Sequence, residues 1–278
     1  MKRKEVHVFL FDIYDFQEKE TRIEKEAIYY ILDPYYYIQN EKFDIRMILE
    51  KNSVLYTGPT ISSSKLTADK AYCKKINTST FVKNINGKKC TNAIEILEFC
   101  ESVDKDFFIV KPNDKGGGED VFFVKKTQLD EKKLKDLFNR HKEILIEDYI
   151  KGTEISFTLL KYKNGFINFP IVGISLHDSV VFDSRVKQTL AFTQITPYKI
   201  STEDEREIIL FSHGFYEKIN FRGVLRIDYI IGIDGYYFLE ANGFPNFDEK
   251  NGITLVSAKN IGLDIADIIL MQIEDCLS

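Results

Sequence analysis

This 278-residue chain is poor in the residues that build metal clusters, disulfides and covalent nucleophile sites: it has four cysteines and four histidines. Cys73, Cys90, Cys100 and Cys276 never fall in a Cys-x-x-Cys pair, so neither a zinc site nor a disulfide framework is expected. A nucleophile elbow and a Cys/His pair are also missing, which leaves no covalent nucleophile to expect. Gly-Lys-Ser/Thr does not occur, so phosphates are not held in a P-loop. No apolar run approaches the ~20 residues that cross a bilayer, and Met1-Lys2-Arg3-Lys4 is not followed by a signal-type apolar segment. Basic residues are not in excess: Lys+Arg total 38 against 43 Asp+Glu, for a net charge of -5. That balance argues against a nucleic-acid or acidic-membrane partner. The expectation is a cytoplasmic protein.

What is present is 44% hydrophobic content, enough for one large core or two to three smaller lobes. Strands and helices alternate without a low-complexity linker or an internal repeat, the pattern of an α/β (α+β) chain. Strands are expected over 6–13, 107–111, 121–125, 144–150 and 154–161. Helices are expected over 18–32, 64–76, 92–100, 129–141, 203–219 and 254–276. The stretch 166–199 gives no clear period. Thr57-Gly58-Pro59 closes a first segment too small for a confident domain of its own.

The most informative pattern lies near the end. Residues 223–229 and 236–242 face each other across Gly232-Ile233-Asp234-Gly235, a hairpin turn rich in residues that tolerate positive φ. Alternation places Leu225, Ile227, Tyr229, Tyr237, Leu239 and Ala241 on an apolar side. Arg226, Asp228, Glu240 and Asn242 share the other. A turn centred on Asp234 sets Asp228 opposite Glu240 and Arg226 opposite Asn242. A solvated hairpin face would carry charges too. Three oxygen donors beside a guanidinium, at four matched positions, suit a hard cation that holds phosphates.

Two further signals precede it. A strand ending in Lys111-Pro112 runs into Asn113-Asp114-Lys115-Gly116-Gly117-Gly118-Glu119-Asp120 and then into a β-branched, aromatic strand. Such a loop is either an ordinary turn or a flap whose backbone N–H groups approach phosphate oxygens, with Lys111 as a point charge beside it. The run 144–154 is an apolar strand that ends in acids and breaks at Gly152. It is either a solvent-facing strand end or an edge offering backbone groups to adenine and Glu154 to ribose.

In this order the pieces resemble the ATP-grasp superfamily, and within it the D-alanine–D-alanine ligase branch, over residues 56–276. The segment YTGPTISSSKLTADKAYCKK is similar to the family's approach to its central domain, with Lys70 at a phosphate-binding lysine. VKPNDKGGGEDV matches the second phosphate lysine, Lys111, and the flap at Gly116, Gly117 and Gly118. ILIEDYIKGTEIS resembles the adenine hinge, which places an acid at Glu147, backbone contacts at Tyr149 and Ile150, and a ribose acid at Glu154. VVFDSRVKQT resembles the loop whose lysine, Lys187, meets the γ-phosphate. LRIDYIIGIDGYYFLEANGFPNFDEKNG matches the metal hairpin, with Arg226 at the transition-state arginine and Asp228, Glu240 and Asn242 at the Mg²⁺ (or Mn²⁺) ligands.

The resemblance implies an ATP-grasp fold with nucleotide between two antiparallel sheets. It divides the chain into a reduced front domain over 1–60, a central subdomain over 61–148 and a C-terminal subdomain over 149–278. It also implies an ATP- and Mg²⁺-dependent ligase joining a small-molecule carboxylate to an amine through an acyl phosphate, and leaves a homodimer open. The departures are all on the substrate side. Residues 6–15 lack the family's glycine-rich strand with serine and glutamate, Gly117 replaces a flap serine, and Pro245-Asn246 replaces Pro-Gly. Asn251 stands at or near the serine that holds the second substrate's carboxylate. The expectation is a ligase of altered substrate. The alternatives are a D-alanine–D-alanine ligase with a divergent front end and a nucleotide-binding regulatory protein without turnover.

Overall fold

The computed structural model describes residues 27–31, 35–38, 41–177, 179–249 and 252–277. The strand expected over 6–13, most of the helix expected over 18–32, and Asn251 lie outside the described residues. Within the described part of 18–32 the chain is extended: β1 (Ile28–Tyr29) pairs in parallel with β4 (Leu55–Tyr56). The Ile-Tyr-Tyr-Ile run suits a pleated surface, and a strand partner 27 residues away overrides any local helical period. Between them lie the hairpin β2 (Tyr35–Ile38) and β3 (Glu41–Asp44) and the helix α1 (Ile45–Lys51). Ile45, Leu49, Val54 and Tyr56 form this front lobe's small core.

Two sheets make the rest. The smaller is antiparallel, in the order β6 (Gly87–Cys90), β9 (Ile144–Asp148), β7 (Phe107–Pro112), β8 (Phe122–Lys125). Helices α4 (Ala93–Ser102) and α5 (Glu131–Arg140) cover one of its faces, packing Ile96, Phe99, Leu134 and Leu137 on Phe108, Val110, Ile144 and Ile146. The larger sheet runs β13 (Phe192–Ile195), β12 (Val172–Leu176), β10 (Thr153–Tyr162), β14 (Val224–Gly232), β15 (Gly235–Asn242), β5 (Val82–Asn84), with β11 (Gly165–Asn168) paired to β10. Its strands pair antiparallel except for β15 with β5, which is parallel and departs from the expectation of two antiparallel sheets. No helix among the described residues is long and apolar enough to cross a membrane.

Local chemistry accounts for the helix boundaries. In place of one helix over 64–76 there are two, α2 (Ile61–Ala68) and α3 (Lys70–Ile76). Asp69 adopts extended dihedrals, ends the first and caps the second by accepting from the Tyr72 N–H at 2.9 Å. The single helix expected over 254–276 is likewise divided, into α8 (Ile253–Lys259) and α9 (Ile265–Cys276). Gly262, at φ +75°, turns the chain, and Asp264 with Asp267 closes a capping box on the second helix. The unclear stretch 166–199 supplies β11, β12, β13 and the short α6 (Ser184–Thr189).

Helix α7 (Thr202–Lys218) is capped by Ser201 and carries Glu203, Asp204 and Glu205 at its positive end. Its buried face, Ile208, Ser212, Phe215 and Tyr216, follows the helical period and packs on the larger sheet. Ile155, Phe157 and Leu159 of β10 and Leu225, Ile227 and Tyr229 of β14 meet it from the sheet. Strand alternation then forces Glu154, Ser156, Arg226 and Asp228 to the opposite face, which looks toward the smaller sheet. Residues 61–84 lean on the larger sheet too, since Cys73 and Val82 share its core.

Arg226 stands opposite Asn242 and Asp228 opposite Glu240 as expected, but the turn does not centre on Asp234, since Gly232 pairs with Gly235. The apolar side differs too. The pairing shifts after Asp228, so that Tyr229 faces Phe238 and Leu239 is the extra residue of a β-bulge. Tyr236 and Phe238 therefore enter the core in place of Tyr237 and Leu239, and Leu239 joins Glu240 on the cleft.

Candidate active site

A cleft of about 550 Å³ lies between the two sheets. From the smaller sheet, Ile109, Lys111 and Glu147 reach it, because alternate residues of β7 and β9 turn away from the core helices. From the larger sheet come Glu154, Leu239 and Glu240, and from α3 and α6 come Lys70 and Lys187. Tyr149 and Ile150 line the crossing between the sheets. The Tyr149 N–H donates to the Phe107 carbonyl at 3.0 Å.

The charges are organised in two groups. Arg226 makes a bidentate pair with Asp228, Nε to Oδ1 and Nη2 to Oδ2 at 2.9 Å each. Ser156 Oγ donates to Asp228 Oδ1 at 2.6 Å, and Asn242 Nδ2 donates to Asp228 Oδ2 at 2.8 Å. Asn242 Nδ2 also lies 3.5 Å from Glu240 Oε1. In the second group Glu147 is buried between two ammonium groups, 2.6 Å from Lys111 Nζ and 2.7 Å from Lys74 Nζ. Lys70 Nζ sits 3.6 Å from Glu240 Oε2 and donates to the flap carbonyl of Lys115.

Burial and neighbours set the protonation states. Burial alone would raise the Glu240 pKa, but Lys70, Lys111, Lys187 and Arg226 outweigh it and hold the carboxylate at about 2. Glu147 is lowered in the same way, with Lys111 and Lys74 overcoming burial. Glu154 is pushed the other way, up to about 8, by burial and by the Asp228 charge. Burial lowers Lys70 despite Glu240. Lys111 is raised, since Glu147 outweighs burial. Two carboxylates of one cleft are thus driven far apart, a mark of functional sites.

The glycine loop is anchored at both ends. Asn113, buried at its start, accepts from the backbone of Lys70 and Ala71 and donates to Asp69 Oδ1 at 2.9 Å. Asp120, at φ +52°, ends it by accepting from Arg140 and by pairing with His141 Nε2 at 2.6 Å. Gly116 and Gly117 are exposed at the tip, whereas Gly118 lines the cleft. The Gly118 carbonyl accepts from the Ser184 N–H at 3.1 Å, so the loop touches the helix that carries Lys187.

The fold therefore brings Lys70, Lys111, Gly118, Glu147, Tyr149, Ile150, Glu154, Lys187 and Glu240 to one cleft. Arg226, Asp228 and Asn242 are tied to one another beside Glu240. Glu147 is spent on two lysines rather than standing free at the hinge. Lys74 and Ser156 escaped the sequence reading. Lys74 stands one helical turn after Lys70 and Ser156 two strand residues after Glu154, and these periods are the signals that could have found them.

The family model described as "D-ala D-ala ligase C-terminus" matches residues 73–274. A D-alanine–D-alanine ligase of Parabacteroides distasonis is 31% identical over 167 residues, 60% of this chain and 50% of that protein. One from Thermotoga petrophila is 27% identical over 227 residues, 81% of this chain and 72% of that protein. The chain thus spans half the length of the first relative and under three quarters of the second. The structure of a D-alanine–D-alanine ligase from Bacillus anthracis complexed with ATP superimposes with a TM-score of 0.71 at 22% identity, covering 96% of this chain and 84% of that one. D-alanyl-alanine synthetase A of Vibrio cholerae gives 0.71 at 12% identity, over 90% and 82%. With more than half of its length matched by the family model, on a mixed α/β fold shared with those ATP-grasp structures, the chain belongs to the D-ala D-ala ligase C-terminal family.

Proposed function

We propose that this protein is an ATP- and Mg²⁺-dependent ligase that joins a small carboxylate to an amine through an acyl phosphate, and that its substrates are not two D-alanines. The observation that carries the reading is the gathering of Lys70, Lys111, Lys187 and Glu240 on one cleft, with Arg226, Asp228 and Asn242 at its side. In it, residues 1–60 form the front lobe and 61–148 and 149–278 the two ATP-grasp subdomains. The names of the relatives favour peptide-bond formation between amino acids.

The donor set fits a hard divalent cation. Asp228 and Glu240 offer carboxylate oxygens on adjacent strands, and Glu240 is held ionised. Asn242, which turns its Nδ2 to both carboxylates, would have to turn its carboxamide oxygen to join them. These three residues would hold Mg²⁺ (or Mn²⁺), whose part is to neutralise phosphate charge. Arg226 grips both Asp228 oxygens, so it shares that carboxylate with the cation and must turn to reach a transferring group. Lys111 and Lys70 stand where phosphate oxygens meet fixed positive charge, and Lys187 approaches from helix α6 beside the flap. Ile109, Ile150 and Leu239 supply an apolar slot for a base, with the backbone of Tyr149 and Ile150 as the candidate partner for its edge. Glu154, neutral below a pKa of about 8, can donate to as well as accept from a ribose hydroxyl. The flap, anchored at Asn113 and Asp120, excludes water from the acyl phosphate when closed.

The substrate half of the proposal stands on Gly117, Asn251 and residues 6–15, where the family's serines, glycines and glutamate are replaced. Each hydrogen bond lost to a charged substrate costs about 1.5–3 kcal/mol. Two or three such losses weaken D-alanine recognition by several orders of magnitude. ADP release by the purified protein should be negligible with D-alanine alone and clear with another carboxylate–amine pair, whose product mass spectrometry identifies. Efficient D-alanyl-D-alanine synthesis would restore the family's plain activity. No ADP release with any pair, despite nucleotide binding, would leave a regulatory nucleotide binder.

A further inference from the structure

Glu147 holds one negative charge between two buried ammonium groups, Lys111 at 2.6 Å and Lys74 at 2.7 Å. Lys111 lines the cleft, whereas Lys74 does not: its side chain is 9% exposed and lies behind the wall. Besides Glu147, Lys74 Nζ donates to the carbonyls of Phe238 at 2.9 Å and Leu239 at 3.3 Å. An ammonium has three donors, and here three oxygens from the two sheets surround it. Burial pushes Lys74 below the ordinary lysine range. A carboxylate and two carbonyls against it nonetheless match an ammonium better than a neutral amine.

This arrangement solves an electrostatic problem. Glu147 fixes the Lys111 side chain, yet a one-to-one pair of Glu147 and Lys111 is neutral and attracts a phosphate weakly. Adding Lys74 on the second carboxylate oxygen gives two positive charges against one negative. Lys111 keeps its anchor, and the cluster still presents a net positive charge to the cleft. We propose that Lys74 is a positioning residue for phosphate binding: it takes up the charge of Glu147 from behind, so that Lys111 is held in place without being neutralised. The inference deepens the nucleotide reading above and rests on it.

The test is calorimetric binding of a non-hydrolysable ATP analogue with Mg²⁺, and of adenosine, to the purified full chain. Lys74→Met makes the cluster neutral and should weaken the analogue by about 10–100-fold, while adenosine, which has no phosphate, changes less than about two-fold. Adding Glu147→Gln to Lys74→Met restores one net positive charge and should recover at least ten-fold of the loss. A merely structural lysine predicts the opposite: the double variant binds no better than the single, and adenosine is lost along with the analogue. Either result overturns the inference. If Lys74→Met fails to fold, Lys74→Gln, which keeps donors for the two carbonyls, carries the same expectation. Failure of the unaltered protein to bind the analogue would sink the nucleotide reading itself. Binding by the unaltered protein without the rescue sinks this inference alone.

Discussion

Gly116, Gly117 and Gly118 are one run in the sequence but meet three different physical situations, which makes them a graded test of the flap. Gly116 has an ordinary φ, and an added Cβ would find nothing within 4 Å. Gly116→Ala should therefore be neutral or slightly stabilising through the unfolded chain. Gly117 sits at φ +72° in open space, so Gly117→Ala carries only the left-handed penalty of about 1–2 kcal/mol. Gly118 combines φ +76° with a clash: its Cβ would lie 2.7 Å from Ser184 N and 2.8 Å from the Asp183 carbonyl carbon. Both are backbone atoms and cannot step aside cheaply.

Gly118→Ala should thus lose the 3.1 Å Ser184-to-Gly118 hydrogen bond, worth about 0.5–1.5 kcal/mol, on top of the strain. Together this is about 2–3 kcal/mol against the seated flap, or roughly a 30–150-fold smaller closed population. The loop is exposed, so the melting temperature should change little in any of the three. The measurements are ATP-dependent ADP release and hydrogen exchange of residues 113–120 with ATP analogue and Mg²⁺. Protection should fall in the order Gly116→Ala, Gly117→Ala, Gly118→Ala. Equal activity and protection in the first and third variants would refute the claim that this loop works by seating on the Lys187 helix.

Two further expectations concern the carboxylates. Glu240→Gln, which swaps a charged oxygen donor for a neutral one, should cut ADP release at least about 100-fold and leave the circular dichroism spectrum unchanged; near-normal turnover would remove the hairpin as a metal site. Because the folded Glu154 pKa is raised from 4.5 to about 8, its stabilising contribution is complete below pH 4.5 and is lost as pH rises toward 8. Denaturant unfolding of the unaltered protein should therefore show stability falling by a few kcal/mol from pH 5 to 8 relative to Glu154→Gln, and parallel pH curves for the two would contradict the burial of that carboxyl.

The sequence by itself determined a hairpin with Arg226 and Asp228 on one face of its first strand and Glu240 and Asn242 on one face of its second, because alternation within a strand is local. The short turn alone, with Gly232 opposite Gly235, would set Asp228 against Leu239; the bulge at Leu239 is what brings Asp228 opposite Glu240 and Arg226 opposite Asn242. The order of the nucleotide motifs is a sequence property as well: each is a strand end or a loop written within about a dozen residues. Tertiary structure decided what depends on distant partners. The bulge at Leu239 arises where Tyr236 and Phe238 must meet helix α7, and no local period records that demand. The division of residues 64–76 at Asp69 serves Asn113, 44 residues away. Lys74 and Glu147 are 73 residues apart and sit on different layers, so their pairing exists only once two sheets have closed on one helix. Burial between those sheets raises both Glu154 and Glu240. The cations Lys70, Lys111, Lys187 and Arg226 reverse that rise only at Glu240, so the same chemical group reaches opposite protonation states at two places in the cleft.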